Sequence, residues 1–257
     1  MLLAIDVGNT QSHIGLYSGE DLVEHWRLAT DRDATVDRLA IEVAGLLGLR
    51  GLGLPDVDGA IVCSVVPVLT HEFELLSERY FEGAMLVVRP GVKTGMAIRV
   101  ENPHEVGADR LVNAVAAYER VGGTCIAVDF GTAINYDVVS SKGEYLGGVI
   151  APGVEISLDA LSQRAARLFK VDLETPASAI GRSTQAAVQS GIVFGFAAQV
   201  DGILARLREE LGEEATAIAT GGHASVIAPH CQQIDETDDL LTLKGLRLVW
   251  ERSREDG

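Results

Sequence analysis

The sequence predicts an α/β protein built from two related halves, each a mixed sheet flanked by helices, and two observations carry that prediction. First, an apolar run ending in a carboxylate, a glycine and a threonine occurs twice. Leu3-Ala4-Ile5-Asp6-Val7-Gly8-Asn9-Thr10 stands near the N-terminus and Ala127-Val128-Asp129-Phe130-Gly131-Thr132-Ala133 at the midpoint, with their aspartates 123 positions apart in 257 residues. Second, each copy opens the same series of two further apolar runs split by a polar turn. In the first half these are residues 12–17, the turn 18–21 and residues 22–28; in the second, residues 134–139, the turn 140–144 and residues 145–150. Two three-strand meanders, each followed by alternating helical and strand-like runs, give an α/β chain with mixed sheets.

The remaining elements follow in order. After the polar start Asp31-Arg32-Asp33-Ala34-Thr35, the residues Val36, Leu39, Ala40, Val43, Leu46 and Leu47 recur at helical spacing and predict a helix over 35–49. Residues 59–66 form a continuous apolar run, the pattern of a strand covered on both faces, which Pro67 ends before a helix over 69–80. Short strands are expected at 84–88, closed by Pro90-Gly91, and at 96–100. A polar loop, 102–110, turns into a helix whose apolar face is Leu111, Val112, Ala114, Val115, Ala117 and Tyr118 and which Gly122-Gly123 ends. The second half opens at 124–130. Helices are expected over 154–168 and 184–211, the latter broken or bent at Gly191 and Gly195, with irregular chain over 170–183 between them. A strand over 215–220 runs into Gly221-Gly222-His223, a short helix starts at Ala224, and the last helix covers 240–249 before a fraying charged tail. The expected domains are 1–118 and 119–257.

Composition narrows the function classes. A net charge of −16 and the lack of a basic patch argue against a nucleic-acid partner, because phosphate neutralisation needs clustered Lys and Arg. Neither a signal peptide nor a membrane span is expected, since no 18-residue uncharged apolar run is apparent and Asp6 already interrupts the first strand. Cys63, Cys125 and Cys231 show no Cys-x-x-Cys spacing, and the first and second lie in apolar runs, as buried thiols of a cytoplasmic protein do.

The two Asp-x-Gly turns carry the chemistry. Glycine lets a phosphate approach the backbone, N–H groups and a threonine hydroxyl donate to its oxygens, and the aspartate suits a Mg²⁺ that keeps several waters. One such turn alone is an ordinary strand-end turn; two in matched contexts point to a triphosphate held from both halves. Thr220-Gly221-Gly222 is a third glycine turn, open to an adenosine or ribose and equally a plain strand-to-helix turn on its own. Neither a Gly-x-x-x-x-Gly-Lys-[Ser/Thr] nor a Gly-x-Gly-x-x-Gly after a strand is present.

Six blocks then stand in order: Asp-Val-Gly-Asn-Thr at 6–10, Asn-Pro-x-x-Val-Gly-Ala-Asp-Arg at 102–110, Asp-Phe-Gly-Thr-Ala at 129–133, Gly-Gly-Val-Ile-Ala-Pro-Gly at 147–153, Ser-Thr-x-x-Ala-x-x-Ser-Gly at 183–191 and Thr-Gly-Gly at 220–222. The series resembles type III pantothenate kinase, of the acetate and sugar kinase, Hsp70 and actin superfamily. That resemblance implies two duplicated ribonuclease H-like, actin-like ATPase domains and the ATP-dependent phosphorylation of pantothenate to 4′-phosphopantothenate, the first step of coenzyme A biosynthesis.

Residue by residue, the resemblance implies ATP contacts from Asp6, Val7, Gly8, Asn9, Thr10, Gln11, Ser12 and His13 and from Thr132, with Asp6 near Mg²⁺. It implies a pantothenate loop of Gly107, Ala108, Asp109 and Arg110 with Asp109 as general base, further substrate contacts at Val100 and Thr184, and a monovalent cation, K⁺ or NH₄⁺, at Asp129. A carboxylate near an alcohol fits the chemistry, since it can take the hydroxyl proton during attack on the γ-phosphate, and an arginine fork suits a carboxylate substrate. The resemblance implies a homodimer with substrate at the interface, for which residues 186–200 are a candidate, although burial within their own subunit explains that apolar stretch as well. Four positions depart from its pattern: His13 for a common Lys, Val100 for Tyr, and Ile134 and Asn135 for two threonines. Another small-molecule kinase of the superfamily and a non-catalytic nucleotide-binding relative are the alternatives.

Overall fold

A computed structural model describes residues 1–81, 83–89, 91–164 and 171–255. In chain order it contains β1 (Leu2–Val7), β2 (Gln11–Ser18), β3 (Asp21–Ala29), α1 (Val36–Gly48), β4 (Gly59–Ser64), α2 (Pro67–Tyr80), β5 (Ala84–Val87), β6 (Ala97–Ile98) and α3 (Ala108–Val121). These are followed by β7 (Cys125–Phe130), β8 (Ala133–Val139), β9 (Glu144–Pro152), α4 (Val154–Arg164), α5 (Thr184–Leu211), β10 (Thr216–Thr220), α6 (Ala224–Ile227), β11 (Glu236–Thr237) and α7 (Leu241–Glu255). The chain divides into two compact units. One holds Met1–Met96, Glu101–Ala116 and Thr242–Gly257; the other holds Ala97–Val100 and Ala117–Leu241.

The first unit's sheet has the order β3-β2-β1-β4-β5, with β1 antiparallel to β2, β2 antiparallel to β3, and β4 and β5 parallel additions on the other side of β1. The second repeats it as β9-β8-β7-β10-β11 with the same directions and adds β6 beside β9. Each unit is therefore a ribonuclease H-like sheet, and the duplication is one of topology as well as of sequence. The repeat places each aspartate at the end of its sheet's central strand. Across the first sheet Asp6 pairs with Cys63 on β4 and His13 on β2, which pairs in turn with Arg27 on β3. Across the second, Asp129 pairs with Thr220 on β10 and Asn135 on β8, which pairs with Ile150 on β9.

Each unit has its own core. In the first, Leu3, Ile5, Leu16 and Val62 of the sheet meet Val43, Leu47, Phe73 and Leu76 of α1 and α2. In the second, Ile126, Val128, Ile134 and Tyr136 meet Val193, Phe196, Val200 and Leu204 of α5.

Several boundaries differ from expectation for identifiable reasons. Pro67 opens α2 as its first residue, a position where its missing N–H costs nothing. The strand expected over 96–100 shrinks to the two residues of β6, and β11, equally short and set in a polar run, has no apolar pattern to announce it. The helix expected over 154–168 is described to Arg164, and its last residues, 165–168, lie outside the described residues, as do Pro90 and Lys170.

Gly191 and Gly195 do not interrupt α5, which runs unbroken for 28 residues. Ser183 caps it, its hydroxyl accepting from the Ala186 N–H at 3.1 Å, and left-handed Gly212 (φ 67°) ends it. Contrary to the expectation that no 18-residue uncharged apolar run occurs, residues 183–200 carry no charge, and this helix is long and apolar enough to cross a membrane by length and composition. Its apolar side is packed on the second unit's own sheet.

The last helix departs most from expectation. Rather than fraying after Val249, α7 continues to Glu255, tied by Arg252, whose Nη1 donates to the Thr94 carbonyl at 3.1 Å, and by an Arg247–Glu251 pair at 2.6 Å. Division at 118/119 assigns this helix to the second half, whereas it packs in the first unit. Leu243, Leu246, Val249 and Trp250 are buried, Thr242 Oγ1 donates to Asn113 Oδ1 at 2.8 Å, and Gly245 lies flat on the Val112 carbonyl.

Candidate active site

The expected first phosphate loop falls on the β1–β2 hairpin end, closed by the Gly8 N–H donating to the Gln11 carbonyl at 3.0 Å. Asn9, Thr10 and Gln11 are exposed, while Ser12 and His13 are part-buried. Thr30, just past β3, fixes the loop from behind. Its N–H donates to the Thr10 carbonyl at 2.9 Å and its hydroxyl to the Gly8 carbonyl at 2.8 Å, which leaves Ser12 Oγ to donate to Thr30 Oγ1 at 2.9 Å. Arg32 Nη2 donates to Asn9 Oδ1 at 3.0 Å. His13, which faces Arg27 across the sheet, has its pKa lowered to about 4 by burial and then by the Arg27 and His25 charges, so its ring is neutral near pH 7.

The second cluster of the first unit is built by the stretch 102–110. Asn102 starts a single 3-10 turn, its side-chain carbonyl accepting from the His104 N–H at 3.3 Å and its amide donating to Glu105 Oε1 at 2.7 Å, with Pro103 at the first turn position. That turn delivers Gly107, whose carbonyl accepts from the Leu111 N–H at 3.2 Å as α3 begins. Asp109 folds back over Gly107, where a Cβ would stand 2.5 Å from its Oδ1, so the carboxylate's position requires glycine there. Burial raises the Asp109 pKa, partly offset by backbone N–H groups of Arg110 and of Asp109 itself and by the Arg110 charge.

These two clusters share a neighbour. Cys63 is fully buried, and its thiol is pushed well up by burial and then by the Asp6 and Asp109 carboxylates. Asp6 and Asp109 thus act on one thiol from two elements. Among the described residues no group of three or more His, Cys, Asp or Glu side chains is placed to hold a metal. One or two carboxylates completed by water and phosphate oxygens is the usual Mg²⁺ arrangement, and these residues fit it.

In the second unit the Gly131 N–H donates to the Ala133 carbonyl at 3.1 Å, so this hairpin end is one residue shorter than the first. Gly221 (φ 96°) lies against the Asp129 carboxylate and the Phe130 backbone, closer than any Cβ permits, and the His223 N–H donates to the Phe130 carbonyl at 3.3 Å. Gly153 meets the Thr132 and Gly131 carbonyls at similarly short range. Asp129, Thr132, Thr220-Gly221-Gly222 and Gly153 therefore form one cluster, with Thr132 exposed.

Of the departures, Ile134 is a core side chain packed in the second unit's interior, so a hydroxyl lost there is not lost from the loop face. Asn135 is part-buried and stands opposite Asp129. Val100 follows β6 with a methyl against Gly147, and exposed Thr184 is the first residue of α5, so both lie in the second unit. Thr30, Arg32 and Cys63 were missed from sequence. They lie outside the motif blocks and join the site through strand register and loop contact.

A sequence model of type III pantothenate kinase matches residues 2–206. The chain belongs to the type III pantothenate kinase family. A type III pantothenate kinase of Streptomyces griseus is 51% identical over 261 residues, covering 98% of this chain and 98% of that one. Among solved structures, a protein described as a Baf family transcriptional activator from Campylobacter jejuni is similar with TM-score 0.62 and 17% identity over 98% of this chain and 99% of that one. A ROK hexokinase from Thermus thermophilus is similar with TM-score 0.54 and 14% identity over 100% of this chain and 99% of that one. At those identities the structures share the fold alone. The duplicated sheets of this pantothenate kinase family member are those of the sugar kinases.

Proposed function

We infer that the chain transfers the γ-phosphoryl group of ATP to the primary hydroxyl of pantothenate, the reaction that opens coenzyme A biosynthesis. Besides family membership, the observation that carries this reading is Asp109. It is a carboxylate of raised proton affinity on a glycine-dependent turn, and it acts on the same buried thiol as the phosphate-loop Asp6. Asp109 accepts the hydroxyl proton as the pantothenate oxygen attacks the γ-phosphorus and ADP leaves with the bridging oxygen's electron pair. The backbone N–H groups of Asn9 and Thr10 and the hydroxyl of Thr132 donate to phosphate oxygens, while the Gly8 N–H holds the turn through the Gln11 carbonyl. Arg110 takes the pantothenate carboxylate in its planar fork, and Thr184 and the chain around Val100 complete the pantothenate contacts. Asp6 would hold a Mg²⁺, which would supply positive charge to the phosphates. Asp129 would hold a monovalent cation, K⁺ or NH₄⁺, through its carboxylate, and that charge would help hold the phosphates.

The protein acts as a homodimer in the cytoplasm. The support for a dimer is the outer face of α5, where Ala187, Gly191, Gly195, Ala198 and Gly202 are exposed at helical spacing. Beside it lie a groove lined by Pro152, Ser157, Phe196 and Gln199 and the exposed apolar side chains of Ile150 and Ile156.

A coupled ADP-release assay over pantothenate, glucose, N-acetylmannosamine and acetate, run in K⁺ and again in Na⁺, tests the reading. Turnover confined to pantothenate and weakened in Na⁺ is expected. Turnover of a sugar instead contradicts the substrate, and indifference to the cation contradicts its site at Asp129.

A further inference from the structure

The loop from Asp6 to His13 contains no Lys or Arg, and it belongs to a chain of net charge −16. A triphosphate at this loop meets the Asp6 carboxylate and backbone donors, so a cation for the phosphates has to come from elsewhere in the fold. Two arginines of the first unit are candidates. Arg27 lies two strands from Asp6, across His13, on the exposed face of β3. Arg32 is on the loop itself, with Nη2 donating to Asn9 Oδ1 at 3.0 Å and in longer reach of the Asn9 carbonyl at 3.4 Å.

Those are the contacts of Arg32. Among the described residues its Nε and Nη1 donors make no hydrogen bond and it forms no ion pair, although Asp31 and Asp33 flank it. Its backbone is anchored beside Thr30, whose hydrogen bonds to Gly8, Thr10 and Ser12 tie this segment to the same loop. A guanidinium held at one edge and open at the other presents a planar fork to an anion, the geometry in which arginine takes phosphate oxygens.

We propose that Arg32 is the phosphate-binding cation of the first loop: one edge of its guanidinium orders Asn9 and the other takes the distal phosphates of ATP. The assignment rests on the phosphate-loop reading given above but not on the identity of the acceptor. Because Arg32 recognises the polyphosphate and not the nucleoside, it separates ATP from adenosine.

The test uses the full chain and the variants Arg32→Gln and Arg32→Lys. ATP and adenosine are titrated calorimetrically in Mg²⁺, and the steady-state constants for ATP and pantothenate are measured alongside. A charge-assisted contact of this kind is worth about tenfold or more in affinity. Arg32→Gln is expected to weaken ATP binding and raise the ATP KM by about that factor, with adenosine binding, the pantothenate KM and the thermal midpoint unchanged. Arg32→Lys should recover part of the loss. Unchanged ATP affinity in Arg32→Gln overturns the proposal, as does an equal loss for adenosine, which signals a merely structural role. If wild-type protein binds ATP but turns over no pantothenate, the functional reading fails while the titration still decides the role of Arg32.

Discussion

Gly107 shows most directly how one residue fixes the chemistry, because its missing side chain is the space in which the Asp109 carboxylate lies. Gly107→Ala should push the carboxylate off its position. A misplacement of about 1 Å costs on the order of 10²-fold in rate, so kcat is expected to fall by about that factor with the thermal midpoint little changed; wild-type kcat in this variant contradicts the geometry. The Asp109 proton gives a second handle. Burial raises its pKa, so the acidic limb of the kcat/KM profile should lie above the ordinary carboxylate range, and Arg110→Gln, which removes a charge that lowers the pKa, should move that limb further up. A limb that does not move shows that another group titrates. A carboxyl whose folded pKa is raised contributes stability that is present below its unfolded pKa and lost as pH rises through the folded one. Asp109→Asn should therefore be at least as stable as wild type at neutral pH. The aspartates and glycines of this site were legible in sequence because each sits in a motif that glycine or a turn residue punctuates. Thr30, Arg32 and Cys63 were not, since nothing local marks a residue whose role comes from the strand or loop beside it.

At the scale of elements, the repeated meander was readable from alternation alone, and its two copies pair with the same topology. The hairpin ends are less alike than the motifs suggested. Val7 pairs with Ser12 across a four-residue connection, whereas Phe130 pairs with Ile134 across three, which places Asn135 rather than Tyr136 beside Asp129. The continuity of α5 was not readable either. Two glycines lower helix propensity by about 1 kcal/mol each, but the buried stripe of Ile192, Val193, Phe196, Ala197 and Val200 outweighs that cost. Among the described residues nothing outside the helix lies within 4 Å of a Cβ at Gly191 or Gly195, and this exposed glycine face is the proposed seat of a second copy. Gly191→Leu should leave the fold intact and abolish the dimer, as read by sedimentation. A wild-type monomer, or a dimer that survives the substitution, rules out α5 as the interface.

For the whole molecule, the division of the chain is set by where its last helix packs. The apolar pattern of α7 predicted a helix but not its address, because periodicity says which face is buried and never against what. Its Trp250 lies over Gly59 at the start of β4 and Leu243 over Gly15 of β2, so the C-terminus completes the core of the unit that begins the chain. Trp250→Ala should cost about 3–5 kcal/mol in denaturant unfolding, the usual loss for a buried large aromatic; a loss under about 1 kcal/mol contradicts this packing. In that unit Asp6 stands beside Cys63 across the sheet and the Asp109 charge also reaches that thiol, and with family membership these carry the kinase reading. Its most direct test is pantothenate-dependent ADP release, with Mg²⁺ and K⁺, by wild type and by Asp109→Asn. The account predicts turnover by wild type and a fall in kcat of about 10²–10⁴-fold in a folded Asp109→Asn protein. Comparable turnover by the two, or none by wild type, would contradict it.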